Sequence, residues 1–211
     1  MAVKQQVHAR SIAVLVMGYL VGVIAYPKLP GPFLDQKLSA RILVAFTLPT
    51  AALVIYALFR SLWRNDRVRS GNGAFESTYH AIVLRVVVFV LALHVVVMIE
   101  LTDAMNALGV RLSAGRAVVV LLGVVLVAIG NLLPRTRPNV AVGVRTARTL
   151  TNTELWQHVH RAGGYVTVGL GAVIAVTGIV LTHEALAAVI GAAALFAAMA
   201  VFVTYRKHTR A

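Results

Sequence analysis

The sequence predicts an all-α integral membrane protein with six transmembrane helices and with both termini on the cytoplasmic side. Composition, the spacing of apolar runs and an uneven distribution of basic residues support this fold class. The 211 residues are 59% hydrophobic and only 13% charged, and the mean hydropathy is +0.83. A soluble fold of this length cannot hide that much apolar surface from water. The chain has no Cys, which excludes disulfides, thiolate metal sites and Cys nucleophiles.

Six apolar runs approach the roughly 20 residues that a helix needs to cross a bilayer core. They are Ser11–Tyr26, Ile42–Leu58, Ala81–Ile99, Ala117–Leu133, Tyr165–Leu181 and Ala185–Tyr205. Basic residues precede the first run, as in a retained signal anchor. A signal peptide cleaved after Ala25 is the alternative, which Pro27 close to the cut disfavours. A short turn around His183 and Glu184 separates the last two runs and predicts an antiparallel hairpin.

The net charge of +13 follows from membrane orientation. With the N-terminus inside, 14 of the 20 Lys and Arg residues lie in predicted cytoplasmic segments, five lie in outer segments and one lies within a span. Such a bias orients membrane proteins, and anionic lipids of the inner leaflet attract the same segments. No basic patch interleaved with aromatic residues is present, so we expect no direct nucleic-acid partner.

Small residues in the spans predict close helix packing. Gly18 and Gly22 form a GxxxG motif in the first span, and Gly123 and Gly130 share one face of the fourth. In lipid, small residues let helix backbones approach closely. Packing within one chain is the favoured interpretation, and a homodimer face is the alternative.

The third span carries three polar residues, Arg85, His94 and Glu100. Arg85 lies near the predicted cytoplasmic end, where its long stem can reach the headgroups. Glu100 lies at the outer boundary. His94 is near mid-membrane and is too short to reach water, so it is either a neutral, hydrogen-bonded residue or part of a proton or ligand path. Arg85 and His94 are nine residues apart, which places them about 180° apart on a helix.

The predicted cytoplasmic loop, residues 134–162, is long and is stiffened by proline. The candidate binding or partner residues in and beside it are Asn131, Pro134, Arg135, Arg137, Pro138, Asn139, Gly143, Arg145, Thr146, Trp156, His160 and Arg161. The prolines stop helix propagation, and Asn139 and Gly143 suit turns. Including Arg148, the loop holds five Arg residues, which suit phosphate or carboxylate groups. Orientation in the membrane is the alternative explanation for any one of them.

A short interfacial helix is predicted to begin near Asn152, because Thr151 and Glu154 have the spacing of a capping box. Trp156 would lie at headgroup depth on this helix, which leads into the fifth span. His158 and His160 point about 200° apart on a helix and have no third ligand nearby, so no metal site is predicted. No motif for a cofactor, a phosphate-binding loop or a serine nucleophile appears.

The loop resembles the characteristic stretch of the SdpI family of bacterial integral membrane proteins. The matching residues are Gly130, Asn131, Leu133, Pro134, Arg135, Arg137, Pro138, Asn139, Gly143, Arg145, Thr146, Thr149, Leu150, Trp156, His160, Arg161, Gly163 and Gly164. The run from Tyr26 to Pro30 resembles the domain of unknown function that often precedes this stretch. We therefore divide the chain into an N-terminal two-helix segment, 1–79, and an SdpI-like four-helix segment, 80–211.

Two departures from the family pattern are visible. The Pro-Trp pair of the family is Ala147-Arg148 here, and the His-Trp pair usual in the first outer loop is absent. The resemblance implies the bacterial cytoplasmic membrane as the location. The founding member protects its producer against a secreted peptide toxin and holds a cytoplasmic repressor at the membrane. A peptide toxin and a cytoplasmic repressor or other protein are therefore the implied partners, beside the lipid bilayer.

Three functions are compatible with the sequence. A toxin-immunity or membrane signalling factor without catalytic activity is favoured. A small proton-coupled transporter would use His94 and would need polar groups facing it, for which the sequence offers chiefly Thr47, Asn131, Thr167 and Thr177. An enzyme acting on lipid phosphate would use the loop arginines and His160, but no acid–base pair at readable spacing supports it.

Overall fold

The computed structural model describes residues 2–29, 38–70, 76–104 and 113–180, together with single residues scattered between 191 and 206. Its α-helices are α1 (Ala2–Ala25), α2 (Leu38–Ser70), α3 (Glu76–Leu101), α4 (Ala114–Gly130), α5 (Ala147–Thr151) and α6 (Thr153–Val180). Short 3-10 helices follow α1 and α4. The described part of the chain contains no strand, so the all-α prediction is confirmed there.

Helices α1, α2 and α3 pack together as one group. α1 runs antiparallel to α2, because Gly22 lies against Ala45 while His8 bonds to Tyr56 at the other end, 3.0 Å away. α1 runs parallel to α3, since His8 also meets the ring of His80. A methyl group on Gly22 would overlap the Ala45 carbonyl oxygen, so the GxxxG motif of α1 serves packing inside the chain.

Helices α4 and α6 form the most closely packed antiparallel pair. A methyl group on Gly123 would come within 2.5 Å of the Gly171 carbonyl oxygen, and one on Gly130 within 3.0 Å of the Gly164 carbonyl oxygen. Two helix backbones therefore touch along this seam, in line with the close packing predicted from the glycine face of the fourth span. α3 packs on α4 as well as on α1 and α2, and so joins the two groups of helices.

Within the part of the chain that the structure describes, five helices are long and apolar enough to cross a membrane. Their outward faces carry large exposed apolar side chains, such as Val16 and Ile24 on α1, Val54 on α2 and Val176 and Ile179 on α6. Such a surface suits lipid and not water. The first five predicted spans are thus confirmed as helices, and each of the five helices is longer than its apolar run or equal to it.

The sixth predicted span, Ala185–Tyr205, and the turn at His183 and Glu184 lie almost wholly outside the described residues. The Tyr26–Pro30 run begins with a 3-10 helix, Tyr26–Lys28.

The predicted interfacial helix is not separate from the fifth span: α6 runs unbroken from Thr153 to Val180. No proline stands between Trp156 and the apolar run, and the Gly163–Gly164 pair stays helical, with Gly164 packed against Pro134.

Candidate functional site: the α4–α6 loop

The candidate site is the α4–α6 loop, residues 131–152, together with the first two turns of α6. The loop leaves α4 at Asn131, which is exposed, and turns through the 3-10 helix Leu133–Arg135. Pro134 occupies the first turn of this 3-10 helix, where a missing N–H is harmless. Pro134 packs directly against Gly164 of α6, because a methyl group on Gly164 would come within 2.8 Å of the proline Cδ. The chain is therefore anchored on α6 as soon as it leaves α4.

Asn139 organises the next turn with its side chain. The side-chain amide nitrogen donates to the carbonyl oxygens of Arg137, at 2.7 Å, and Val142, at 3.2 Å. The side-chain oxygen accepts from the backbone N–H groups of Ala141, at 2.9 Å, and Val142, at 2.7 Å. Asn139 is buried, and both ends of its amide are bonded. The prediction of a turn at Asn139 is confirmed, and the adjoining Pro138 restricts the chain that enters it.

Gly143 is the position where the loop meets α6 most closely. Its φ of +106° lies in the region that favours glycine, and a methyl group there would overlap Nε2 of His160. The turn predicted at Gly143 is confirmed, and it brings the loop backbone against His160. The next backbone N–H, of Val144, donates to His160 Nε2 at 3.0 Å. Only glycine combines this backbone conformation with this approach.

His160 is buried and uses both ring nitrogens. Because the Val144 N–H can only donate, Nε2 must be the unprotonated nitrogen, and the proton lies on Nδ1. Nδ1 then donates to the Trp156 carbonyl oxygen at 2.8 Å. The neutral Nδ1–H form of His160 therefore connects the loop backbone to the first turns of α6.

Trp156 lies beneath His160 and is also fully buried. The two rings stack with centroids 3.8 Å apart and planes 13° apart, as side chains four residues apart on a helix can. The indole Nε1–H donates to Thr136 Oγ1 at 3.2 Å, and Thr136 Oγ1 in turn donates to the Leu133 carbonyl oxygen at 2.6 Å. The ring of Trp156 faces the protein interior, and its headgroup depth stays a prediction.

The loop closes with a capping box between Thr146 and Thr149. The Thr149 backbone N–H donates to Thr146 Oγ1 at 3.2 Å, and the Thr146 N–H donates to Thr149 Oγ1 at 2.9 Å. Thr149 Oγ1 also donates to the Val144 carbonyl oxygen at 2.8 Å. This box starts α5, whose five residues carry Ala147 and Arg148 at exposed positions in its first turn. The family's Pro-Trp position is therefore a surface position here.

The predicted capping box of Thr151 with Glu154 does not form. The side-chain oxygen of Asn152 instead accepts the Leu155 N–H at 2.9 Å and caps α6. Thr151 is the last residue of α5, and its hydroxyl donates back to the Ala147 carbonyl oxygen at 2.8 Å. Asparagine caps helices at least as well as threonine, so the adjacent Asn152 takes the position.

All five loop-region arginines have exposed side chains. They are Arg135, Arg137, Arg145, Arg148 and Arg161. Arg145 also donates from its guanidinium to the Val140 carbonyl oxygen, which ties it to the loop backbone. The neutral scaffold residues thus point inward, while the charged residues point outward from it.

The loop also contacts the other helix group. Ala141 and Val142 pack against the buried cluster that α1, α2 and α3 form, which includes Trp63 and Tyr79. The rings of Trp63 and Tyr79 lie 4.8 Å apart. The loop therefore connects the α4–α6 pair to the α1–α3 group at one end of the molecule.

The three polar residues of the third span do not belong to this site. His94 is fully buried between α1, α2 and α3, among Leu15, Leu48 and Ala52. Neither of its ring nitrogens makes a hydrogen bond of ordinary geometry, although the backbone of Gly18 faces the ring.

Arg85 faces α4 instead, so the predicted opposite placement of Arg85 and His94 is confirmed. Its guanidinium donates to the Ala81 carbonyl oxygen, 2.9 Å away and one turn nearer the loop end. This is the direction predicted for a side chain that reaches toward the headgroups. Glu100 is exposed near the opposite end of α3.

The polar groups that a transport path would need are not gathered at His94. Thr47, Thr167 and Thr177 each donate to a carbonyl oxygen of their own helix, at 2.5, 2.7 and 3.1 Å. Asn131 lies at the end of α4, in the loop. Within the described ranges, no group of three His, Asp or Glu side chains stands close enough to hold a metal ion.

The sequence patterns did not predict one site residue, Thr136. It sits between two exposed arginines and looks like a surface residue, yet it is buried and bonds the Trp156 indole. A buried Trp needs an acceptor for its N–H. The sequence feature that points to Thr136 is the presence of a hydroxyl in the same loop as a Trp that needs an acceptor.

Residues 135–205 match the model of the SdpI/YfhL protein family. The matched segment begins in the α4–α6 loop and continues through α6 into the last predicted span, and it confirms the SdpI-family resemblance of the sequence. Nothing significant matches among curated proteins or among solved structures.

Proposed function

We propose that this SdpI-like membrane protein is a toxin-immunity or signalling factor of the bacterial cytoplasmic membrane, without catalytic activity. In this proposal both termini and the α4–α6 loop face the cytoplasm, where the loop docks a protein partner. A secreted peptide toxin would be met from the bilayer or the outer side. The family match and the basic bias of the predicted inner segments support this arrangement.

The observation that carries the proposal is the internal bonding of the loop. Trp156, His160, Thr136, Asn139 and Thr149 are all buried, and each is hydrogen-bonded to loop or helix groups. A connection that only joins two spans does not need such a core. Ordered loops on a rigid scaffold commonly hold binding residues in place before a partner arrives.

The outward face of this scaffold favours an acidic protein surface as partner. Arg135, Arg137, Arg145, Arg148 and Arg161 are exposed on it. Guanidinium groups bind carboxylates in a bidentate manner, and a preformed arrangement loses little entropy on binding. Orientation in the membrane requires the charges but does not require a fixed arrangement of them.

A crosslinking experiment in native membranes tests the docking half. A photoreactive residue at Leu150, exposed on α5, is introduced into the wild type and into the variant R135Q/R137Q/R145Q. We expect one discrete adduct in the wild type and a loss of at least about tenfold in the triple variant, since each charged contact contributes about 1 kcal/mol or more.

The control is R60Q/R64Q, which removes two exposed arginines of α2 from the same predicted side of the membrane. It should leave the adduct unchanged. Equal adduct yields in the wild type and in the triple variant would remove the loop arginines from partner binding.

A toxin challenge tests the immunity half. Deleting the gene should increase sensitivity to at least one membrane-active peptide in a broad panel, and the wild-type gene should restore resistance. The triple arginine variant tests whether protection depends on the loop. Unchanged sensitivity of the deletion strain across the panel would contradict an immunity role and leave signalling as the part to test.

The other two functions have less support from the geometry. The aliphatic surroundings of His94 oppose a proton path through it. An enzyme that uses His160 as acid or base would have to break the bond to Val144 or the bond to Trp156 in each cycle. His94 and His160 therefore fit structural roles better than chemical ones.

A further inference from the structure

A groove with a volume of about 480 Å³ lies between α3 and α4, with Arg10 of α1 at its edge. Except for two arginines, the described residues that line it are aliphatic or aromatic, with Leu84, Val88 and Leu121 among them. The volume lies within the usual range for a ligand site. Neither the loop nor His94 belongs to it.

Both arginines of the groove lie at the same end. Arg10 is eight residues from the start of α1, Arg85 is nine residues from the start of α3, and the two helices run parallel. The Arg85 guanidinium is also turned toward that end by its bond to the Ala81 carbonyl oxygen. None of the described residues that line the groove is acidic. Two positive charges therefore stand at one end of an otherwise apolar channel.

The length of the groove corresponds to one leaflet. On α3 its lining runs from Ala81 to Ala92, and eleven residues of helix extend about 16 Å. Half of a bilayer core is about 15 Å thick. Ala81 is also the first residue of the predicted third span. The groove thus runs from the membrane boundary, on the side of the loop, to about the middle of the bilayer.

The groove opens toward the lipid phase. Val88 of α3 and Val124 of α4 line it and are 44% and 53% exposed, although both are apolar. Among the described residues of the last predicted span, Val201 lies beside Gly163 of α6, with a methyl group on Gly163 at 3.9 Å from the valine side chain. That contact is at α6 and not at the groove.

We propose that this groove binds one anionic phospholipid of the cytoplasmic leaflet. Its phosphate lies between Arg10 and Arg85, and one acyl chain lies along Val88 and Ala92 toward Leu121. Basic pockets between transmembrane helices on the cytoplasmic side suit anionic headgroups. The acyl chain covers apolar surface that would otherwise remain as a groove between α3 and α4.

Native mass spectrometry of the full chain in a neutral detergent tests this, with phosphatidylglycerol and phosphatidylcholine as probes. We expect one phosphatidylglycerol per chain and much weaker retention of phosphatidylcholine. Each arginine removed should weaken phosphatidylglycerol binding about fivefold, so R10Q/R85Q should lose about 25-fold. R85K keeps the charge and should retain most of the affinity.

Two further variants separate the headgroup from the acyl chain. V88W fills the groove wall and should weaken both lipids, whereas V54W, at an exposed position on α2, should weaken neither. The charge control is R60Q/R64Q, which should bind like the wild type. Soluble glycerol phosphate should fail to displace the lipid, since it lacks the acyl chain. Thermal unfolding of each variant identifies those that have lost their fold.

The proposal is overturned if R10Q/R85Q, folded like the wild type, retains phosphatidylglycerol equally. It is also overturned if both lipids bind alike or if glycerol phosphate competes fully. A single cysteine at Val88 is free of background, because the chain has no Cys. A crosslink from that cysteine to a second copy, or to residues 185–205, would show another occupant and would reject the lipid.

Discussion

Two of the buried histidines, His160 and His94, are held in different ways. His160 is 2% exposed, and both of its ring nitrogens are hydrogen-bonded within the loop and α6. His94 is 0% exposed, and neither nitrogen has a bond of ordinary geometry. Burial alone therefore does not distinguish a residue that organises its surroundings from one that is merely enclosed. The difference lies in what each ring connects.

The two surroundings explain this difference. His160 lies where the chain has irregular backbone, and the free N–H of Val144 needs an acceptor. His94 lies among the helical segments α1, α2 and α3, where nearly every backbone group is bonded within its own helix, and Pro49 of α2, which lines the same space, has no N–H to donate to His94. A polar side chain is useful in the first setting and destabilising in the second. Four of the eight buried polar residues in the described ranges, Thr136, Asn139, Thr149 and His160, lie in the α4–α6 loop and the start of α6, and each of them is hydrogen-bonded there.

The largest expected effect is that of His160→Ala. It removes the stack on Trp156, leaves the Val144 N–H without its acceptor and opens a cavity, so we expect a loss of about 3–4 kcal/mol in the free energy of unfolding. Limited proteolysis should cut the α4–α6 loop much faster. A variant as stable and as resistant as the wild type would contradict the role of His160 as organiser.

Gly143→Ala should have the next largest effect. The added methyl group meets His160 Nε2, and the φ of +106° strains any side chain, so the expected destabilisation is about 2–3 kcal/mol. Gly169→Ala is the matched control. Nothing lies within 4 Å of its added methyl group, and helical Ala is preferred over Gly by about 0.5–1 kcal/mol. Equal stability of Gly143→Ala and Gly169→Ala would contradict the close approach between the loop and α6.

Trp156→Phe measures one bond of the loop core. Phe keeps the stack on His160 but removes the donor to Thr136, so we expect a loss of about 1–1.5 kcal/mol. Combined with Thr136→Val in a double-mutant cycle, the two losses should not add, because both remove the same bond. Full additivity in unfolding experiments would show that the bond contributes nothing.

His94→Leu should have the smallest effect. Leu fits among the neighbouring aliphatic side chains and removes two buried ring nitrogens that lack ordinary bonds. The expected change in the free energy of unfolding lies between zero and a gain of about 1 kcal/mol. Unfolding in mixed micelles checks this, with His160→Leu as the partner variant. A loss for His94→Leu as large as that for His160→Leu would erase the contrast between the two regions.

The sequence predicts the membrane helices well because their signals are local. Apolar runs of bilayer length predict five of the observed helices, and the spacing of Gly123 and Gly130 predicts a close-packing face on α4, which the structure places against α6. The turns at Asn139 and Gly143 also follow from residue type. In each case one segment of chain contains the whole signal.

The internal structure of the loop is harder to predict because it depends on distant pairs. Trp156 bonds Thr136 twenty positions away, and His160 accepts from Val144 sixteen positions away. The local pattern predicts the cap at Thr151, yet Asn152 caps α6 and the pair Thr146 and Thr149 caps α5. Competing caps differ by less than about 1 kcal/mol, so tertiary contacts decide between them.

Hydrogen exchange at the Val144 amide tests the central claim, that the α4–α6 loop is a preformed scaffold organised by His160. In the protein in lipid nanodiscs, this amide should exchange slowly in the wild type and in His94→Leu, and quickly in His160→Ala. Fast exchange in the wild type would contradict a preformed loop. Equal protection in His160→Ala and in the wild type would contradict the role given to His160.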